Sequence, residues 1–448
     1  MTKTNLPKNF EKILSAAQQM LGIMQEFSKE GKGNWSQAYE ERWFKALEEF
    51  TSQIYANKEY ENCLSYEDIR ERIWNISAET GKSIKEITAG DLRQIVETIL
   101  GPPKKFDFYF PQMEIFNLPD SYELGHCVLH TFEHLPKEVK DSISSNWELE
   151  YEEEKALYYV RNKNEYEEAK KQETYFCLSV SASGREKATE IATIRANQSF
   201  NILKCIYVIQ DLPRLKRCHW FTEGMSGAVH DYRYKSGWFR HSSNPELEAY
   251  VKNLTQLMKG ESDDIGRRCL TAIDVYCMID QETPLQVRFL LSVIATEGLL
   301  LGKDDRDFLG WKLREKVAIL IGDTTAWFVI YLQKDVRKDG WPSKEECDAN
   351  RVAARAALAK RVGDMYNKRS KFAHGSAKDK DQVGEEDFRF ASMVFRLSMQ
   401  RLLTLREKGI SRIHKEGEGS SDPHSLDSFI DSLKYSAPLG PAELPLKP

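Results

Sequence analysis

The sequence predicts a mainly α-helical protein with an α+β middle region and an all-α C-terminal part. Residues 8 to 98 place apolar side chains three and four apart, as in FEKILSAAQQMLGIMQEF and YEERWFKALEEFTSQIY, the period of amphipathic helices. From residue 104 the pattern changes to aromatic-rich alternation, as in KKFDFYFPQMEIFNLP, which suits half-buried strands. After residue 244 the texture is almost purely helical.

Taken in order, Gly101, Pro102 and Pro103 break the helical pattern and close a first region, 1–103. Region 104–240 follows. In it YELGHCVLHTF continues the strand pattern, and the charged stretch from Asn146 to Gln172 reads as a solvated helix. TYFCLSVSA is a further strand, and after Gly184 the run REKATEIATIRANQSFNILKCIY is an amphipathic helix. This strand, glycine and helix unit fits packing better than a ligand-binding edge.

Asn244 before Pro245 is an N-cap followed by proline at the first helical position. Helices are expected over 245–259, 263–280, 284–301, 306–321, 324–335, 344–370 and 385–408, a domain spanning 244–410. Ser343 and Glu346 form a capping-box pair at the start of the long helix. Its apolar stripe runs Leu358, Val362, Met365 and Tyr366, and Arg369 continues it, because eleven residues return to nearly the same angle. Beyond Ser411 the chain is rich in Gly, Ser and Pro and reads as a flexible tail, 411–448.

Composition narrows the function. The 448 residues suffice for two or three domains of roughly 100 to 200 residues each. With 41% hydrophobic and 11% aromatic residues the chain can bury a core. No apolar run approaches the roughly 18 residues of a membrane span, and the first residues lack a signal-peptide core, so a cytoplasmic protein without a membrane partner is expected. The eight cysteines form no C-x-x-C pair and read as reduced, packed residues. A net charge of -5 argues against a general nucleic-acid coat. Against that background, Arg351 to Lys380 carries nine cations and two anions, a local +7.

Within this basic segment lies MYNKRSKFAHGS, with Arg369 and His374 five positions apart. The spacing alone is weak: 26 arginines and nine histidines produce about 0.5 such pairs by chance, and a second pair, Arg214 and His219, exists. Setting favours the first pair, which sits in an all-helical region at a helix end. His126, His130 and His134 are spaced for a shared face, but a strand would spread the outer two over roughly 26 Å and no acidic ligand accompanies them. No metal and no cofactor is expected.

YNKRSKFAHG matches the pattern Y-x-x-R-S-x-x-x-H-G, and with the upstream helices QVRFLLSVIATEGLLLG and LREKVAILIG the region of about 245–410 resembles the Apea-like branch of the HEPN superfamily (higher eukaryotes and prokaryotes nucleotide-binding). The resemblance implies a HEPN-like helical bundle, with residues before about 240 resembling, more loosely, the variable sensor-like portions of such proteins. It also implies a homodimer through the C-terminal domain that brings two motifs across one cleft, and a role in anti-phage defence, abortive infection or toxin-like arrest, with a phage-derived or protein trigger at the N-terminal region. Ser370 departs from the Asn, Asp or His that many superfamily nucleases carry after the arginine.

The expected activity is metal-independent endoribonucleolytic cleavage. RNA supplies its own 2′-hydroxyl nucleophile, so the protein must move protons, hold the phosphorane oxygens and fix an in-line geometry. His374 is the proton-transfer group and Arg369 the cationic fork. Tyr366, Ser370 and Glu297 are supporting residues, and Lys368, Lys371 and Arg361 are RNA-binding cations. On an ideal helix Arg369 and His374 point about 140 degrees apart. Gly375 suggests that Ser370 to His374 unwinds and turns the imidazole back. The alternative is a non-catalytic HEPN-like module that binds RNA or a nucleotide or scaffolds a partner, with Arg369 paired to a carboxylate such as Glu297 and His374 capping carbonyls.

Overall fold

A computed structural model describes residues 7–30, 37–112, 114–116, 121–145, 147, 151, 163–171, 173–207, 218–222, 225–229, 238–240, 245–260, 262–279, 283–302, 308–375, 382–413 and 422–435. It is mainly helical with a small antiparallel sheet. The chain divides into two compact units whose segments alternate along the sequence: Met1–Glu114, Leu129–Ala196 and Leu215–Ser236 form one, and Ile115–Val128, Asn197–Arg214 and Gly237–Pro448 the other.

In the first unit, α1 (Phe10–Glu30) and α2 (Gln37–Tyr55) pack together, followed by α3 (Lys58–Cys63), α4 (Tyr66–Trp74), α5 (Ile76–Thr80) and α6 (Ala89–Ile99). Their apolar stripes meet in one core that includes Ile13, Met20, Leu47, Phe50, Ile69, Leu92 and Val96. The helical spacing predicted this much. Next along the chain are strands β1 (Lys104–Gln112), β2 (Glu114–Phe116), β3 (Tyr122–Leu124), which belongs to the second unit, and β4 (Cys127–Thr131). They are followed by α7 (Lys137–Ser144), α8 (Lys163–Lys171), β5 (Thr174–Ala182), α9 (Arg185–Tyr207), whose second half belongs to the second unit, β6 (Cys218–Thr222), β7 (Met225–Val229) and, in the second unit, β8 (Trp238–Arg240).

β1 pairs antiparallel with β5 on one side and β6 on the other, and β6 pairs with β7. The two-residue period puts Phe106, Phe108 and Phe110 on one buried face, opposite Val180, Leu178 and Phe176 of β5. The charged stretch 146–172 falls mostly outside the described residues, apart from α8.

Asp68 holds the turn from β5 to α9. Its carboxylate completes a capping box with Ser65 at the start of α4 and also accepts the amides of Glu186 at 2.8 Å and Lys187 at 2.9 Å, 118 and 119 residues away. A carboxylate thus fills the N-terminal anion position of α9. Gly184 is required beside it, since a Cβ there would lie 2.0 Å from the carboxyl carbon. Arg72 donates to the Ser183 carbonyl at 2.7 Å on the same turn. The sequence-predicted strand, glycine and helix unit is therefore a packed joint whose anion slot is taken by the chain itself.

The second unit contains α10 (Pro245–Lys259), α11 (Asp264–Tyr276), α12 (Leu285–Leu300), α13 (Leu309–Ile321), α14 (Thr325–Tyr331), α15 (Val336–Asp339), α16 (Lys344–Ala373), α17 (Glu385–Glu407) and α18 (Leu426–Tyr435). Helix α12 lies against α11 and α17, and α13 against α16. Phe289, Val293, Val317, Leu358, Val362 and Phe395 are all fully buried. The Ser343 and Glu346 box is formed, with Glu346 accepting the Ser343 amide at 2.7 Å. Asn244, the expected N-cap of α10, lies outside the described residues. No helix among the described residues is long and apolar enough to cross a membrane.

Two expectations need correction. The helix expected over 324–335 is broken: Gln333 adopts a left-handed φ of 53°, and Asp335 caps the short α15 through the Arg337 amide. Part of the expected flexible tail is folded. Leu426 and Ile430 of α18 are buried, Ile413 is fully buried, and Asp427 pairs with the buried Lys316 at 2.9 Å. Leu426, Phe429, Ile430 and Leu433 make a short apolar stripe that Gly-, Ser- and Pro-rich flanks conceal in the sequence.

Asp68→Ala should lower the unfolding free energy by about 2 to 3 kcal/mol, since two helix starts lose their acceptor. Asp91→Ala, which removes one exposed capping box and an exposed ion pair with Lys82, should cost clearly less than Asp68→Ala. Urea titration of both variants checks the difference.

Candidate functional site

The site is built at the C-terminal end of α16. Apolar residues of this helix face α13, and the stripe carries Arg369 toward α12, where its Nη2 donates to Glu297 Oε2 at 2.8 Å. Both side chains are largely covered, 23% and 17% exposed. Burial pushes the Glu297 carboxyl above its ordinary value, and Arg369 opposes that shift. Glu297 Oε1 and Arg369 Nε are buried without a hydrogen-bond partner, so the pair is held by a single contact.

Tyr366 is the third member. The Arg369 guanidinium carbon lies 6.0 Å from its ring centroid, and burial followed by the nearby Glu297 charge raises its phenol above the usual range. Gly310 at the start of α13 allows this placement, because a Cβ there would lie 2.7 Å from the Tyr366 ring.

His374 lies elsewhere on the helix end. The expected unwinding of 370–374 is absent: α16 is helical through Ala373, and the His374 amide donates to the Ser370 carbonyl at 3.1 Å. Gly375, at φ 64°, supplies the left-handed residue that ends the helix, one position beyond His374. The chain therefore turns after the histidine instead of before it. Five helical residues leave the two side chains about 140 degrees apart and about 7.5 Å apart along the axis. His374 is exposed.

The flanking cations differ in their engagement. Lys368 Nζ lies 2.7 Å from Asp387 Oδ2, and the same oxygen accepts the Gly384 amide at the start of α17. The Arg361 guanidinium stacks 4.2 Å from the Phe390 ring centroid. Lys371 and Ser370 are half-buried. The pairing of Arg369 with Glu297 was anticipated from sequence. The roles of Asp387, Phe390 and Gly310 were missed; only Asp387 had a local signal, as an acid in a helix first turn.

The other candidates are placed apart. Arg214 lies outside the described residues, and His219 is 3% exposed on β6, opposite Tyr109 of β1. His126 precedes β4, His130 lies within it, and His134 lies in a 3-10 turn with Nδ1 2.7 Å from the Thr131 hydroxyl. Among the described residues no three His, Cys, Asp or Glu side chains converge as metal ligands. No protein-family model, curated protein or solved structure matches the chain.

The ion pair yields a pH test. A carboxyl whose folded pKa is raised imposes no penalty at acid pH, and the penalty grows as pH rises from the ordinary carboxyl range toward the raised value. Removing the opposing guanidinium raises that value further. Arg369→Ala should therefore destabilise by about 2 kcal/mol near pH 8 and by much less near pH 5. Adding Glu297→Gln should erase that dependence, as read by denaturant midpoints at the two pH values.

Proposed function

We propose that the chain is a metal-independent endoribonuclease of HEPN type. The observation that carries this reading is the end of α16, where a largely covered, carboxylate-held Arg369 and an exposed His374 share one basic helix terminus. Glu297 engages one nitrogen of the guanidinium fork, whose five donors suit phosphate.

In the proposed reaction the RNA 2′-oxygen attacks the adjacent phosphorus and the bond to the 5′-oxygen breaks. The products are a 2′,3′-cyclic phosphate and a 5′-hydroxyl. His374 takes the 2′-hydroxyl proton, water gives one to the leaving oxygen, and Arg369 stabilises charge on the phosphorane oxygens. Tyr366 and Glu297 orient the guanidinium. Lys368, Lys371 and Arg361 meet the flanking phosphates, with Lys368 exchanging Asp387 for phosphate.

Because Arg369 and His374 diverge on one helix, the proposed site is completed by a second copy through the C-terminal domain, in the two-fold arrangement commonest for homo-oligomers. The proposed setting is a cytoplasmic anti-phage, abortive-infection or toxin-like effector whose N-terminal region receives a phage-derived or protein trigger.

A second reading has its own support: Arg369, Lys368 and Arg361 all have partners within the chain. Under it the region is a non-catalytic module that binds RNA or a nucleotide or scaffolds a partner. RNA cleavage in EDTA separates the two. Wild type should cleave, and Arg369→Ala and His374→Ala should each lose about 100-fold or more. RNA binding without cleavage by any of the three would support the second reading.

A further inference from the structure

The first unit carries an open cleft of about 630 Å³ between α2, α4 and the start of α9. Its floor is aromatic. Trp43 is buried and meets Phe44 and Trp74 edge-on, with ring centroids 5.3 and 5.4 Å apart. Phe44 and Trp74 remain 37% and 49% exposed, large apolar surfaces kept in contact with water.

The rim is charged with a sign. On α4, Glu67, Arg70, Glu71 and Trp74 follow the three-four spacing of one helix face. Arg70 pairs with Glu67 at 2.6 Å, and Arg185 pairs with Glu186 at 2.5 Å and with Glu71 at 3.5 Å. Both lining arginines are thus neutralised, and three carboxylates against two guanidinium groups leave a surplus negative charge.

Exposed aromatic faces beside surplus carboxylate are the surroundings that attract an organic cation, the ring quadrupole and the charge acting together. A phosphate-bearing ligand would meet arginines already paired and carboxylates that repel it. We propose that this cleft is a docking site for the arginine or lysine side chain of a basic protein partner. The inference stands whether or not the C-terminal domain cleaves RNA.

The test uses the full chain and three small probes, acetyl-arginine amide, its neutral isostere acetyl-citrulline amide, and guanosine monophosphate, followed by ligand-observed NMR. The arginine amide should bind about fivefold more tightly than the citrulline amide. Trp74→Ala and Glu71→Gln should each weaken it by a similar factor. Glu71 is half-exposed and its side chain holds no helix cap, so Glu71→Gln keeps the test valid if Trp74→Ala fails to fold. Equal binding of the citrulline amide, unchanged binding by Glu71→Gln, no binding of the arginine amide, or preference for guanosine monophosphate would each overturn the proposal.

Discussion

A helix that keeps turning about 100 degrees per residue through Ala373 cannot bring Arg369 and His374 to one side of its own axis. The rest of the candidate site depends on this constraint. The ladder continues to the His374 amide and Gly375 ends it only afterwards, so the guanidinium faces α12 while the imidazole is left in solvent. Within one chain the two groups are presented on different sides, and the proposed chemistry therefore calls on a second copy.

What faces inward is held firmly but not fully satisfied. Glu297 and Arg369 share one hydrogen bond in a largely covered setting, with one polar atom of each buried and unpaired. An incompletely satisfied ion pair contributes little net stability and is sensitive to loss of either member. It is also an arrangement in which a phosphate can compete for the guanidinium. Lys368 repeats the pattern at lower burial, since Asp387 serves both it and the α17 amide end.

Local signals in the sequence predict the structure where local physics decides. The Ser343 and Glu346 box, the strand Thr174–Ala182 and the helix beginning at Pro245 all stand at the expected positions. Gln333 shows where they stop, because a left-handed glutamine has no mark in the sequence. The α18 stripe is short and was obscured by its flanks. Gly375 marks the helix end in the sequence and ends it in the structure, but the helix stays regular up to it, so the expected unwinding of Ser370 to His374 does not occur. Asp68 is different in kind: its capping box with Ser65 is legible, whereas its second role at α9 depends on a contact across 118 residues. The alternation of the two units along the chain is invisible for the same reason.

The proposal that Arg369 and His374 act from different copies is tested most directly by mixing two inactive chains. Arg369→Ala retains His374, and His374→Ala retains Arg369, so only a mixed assembly can place one of each in a shared cleft. Cleavage in EDTA should reappear when the two variants are combined and allowed to exchange subunits. A mixture that forms mixed assemblies yet stays as inactive as either variant alone would contradict a site shared between copies.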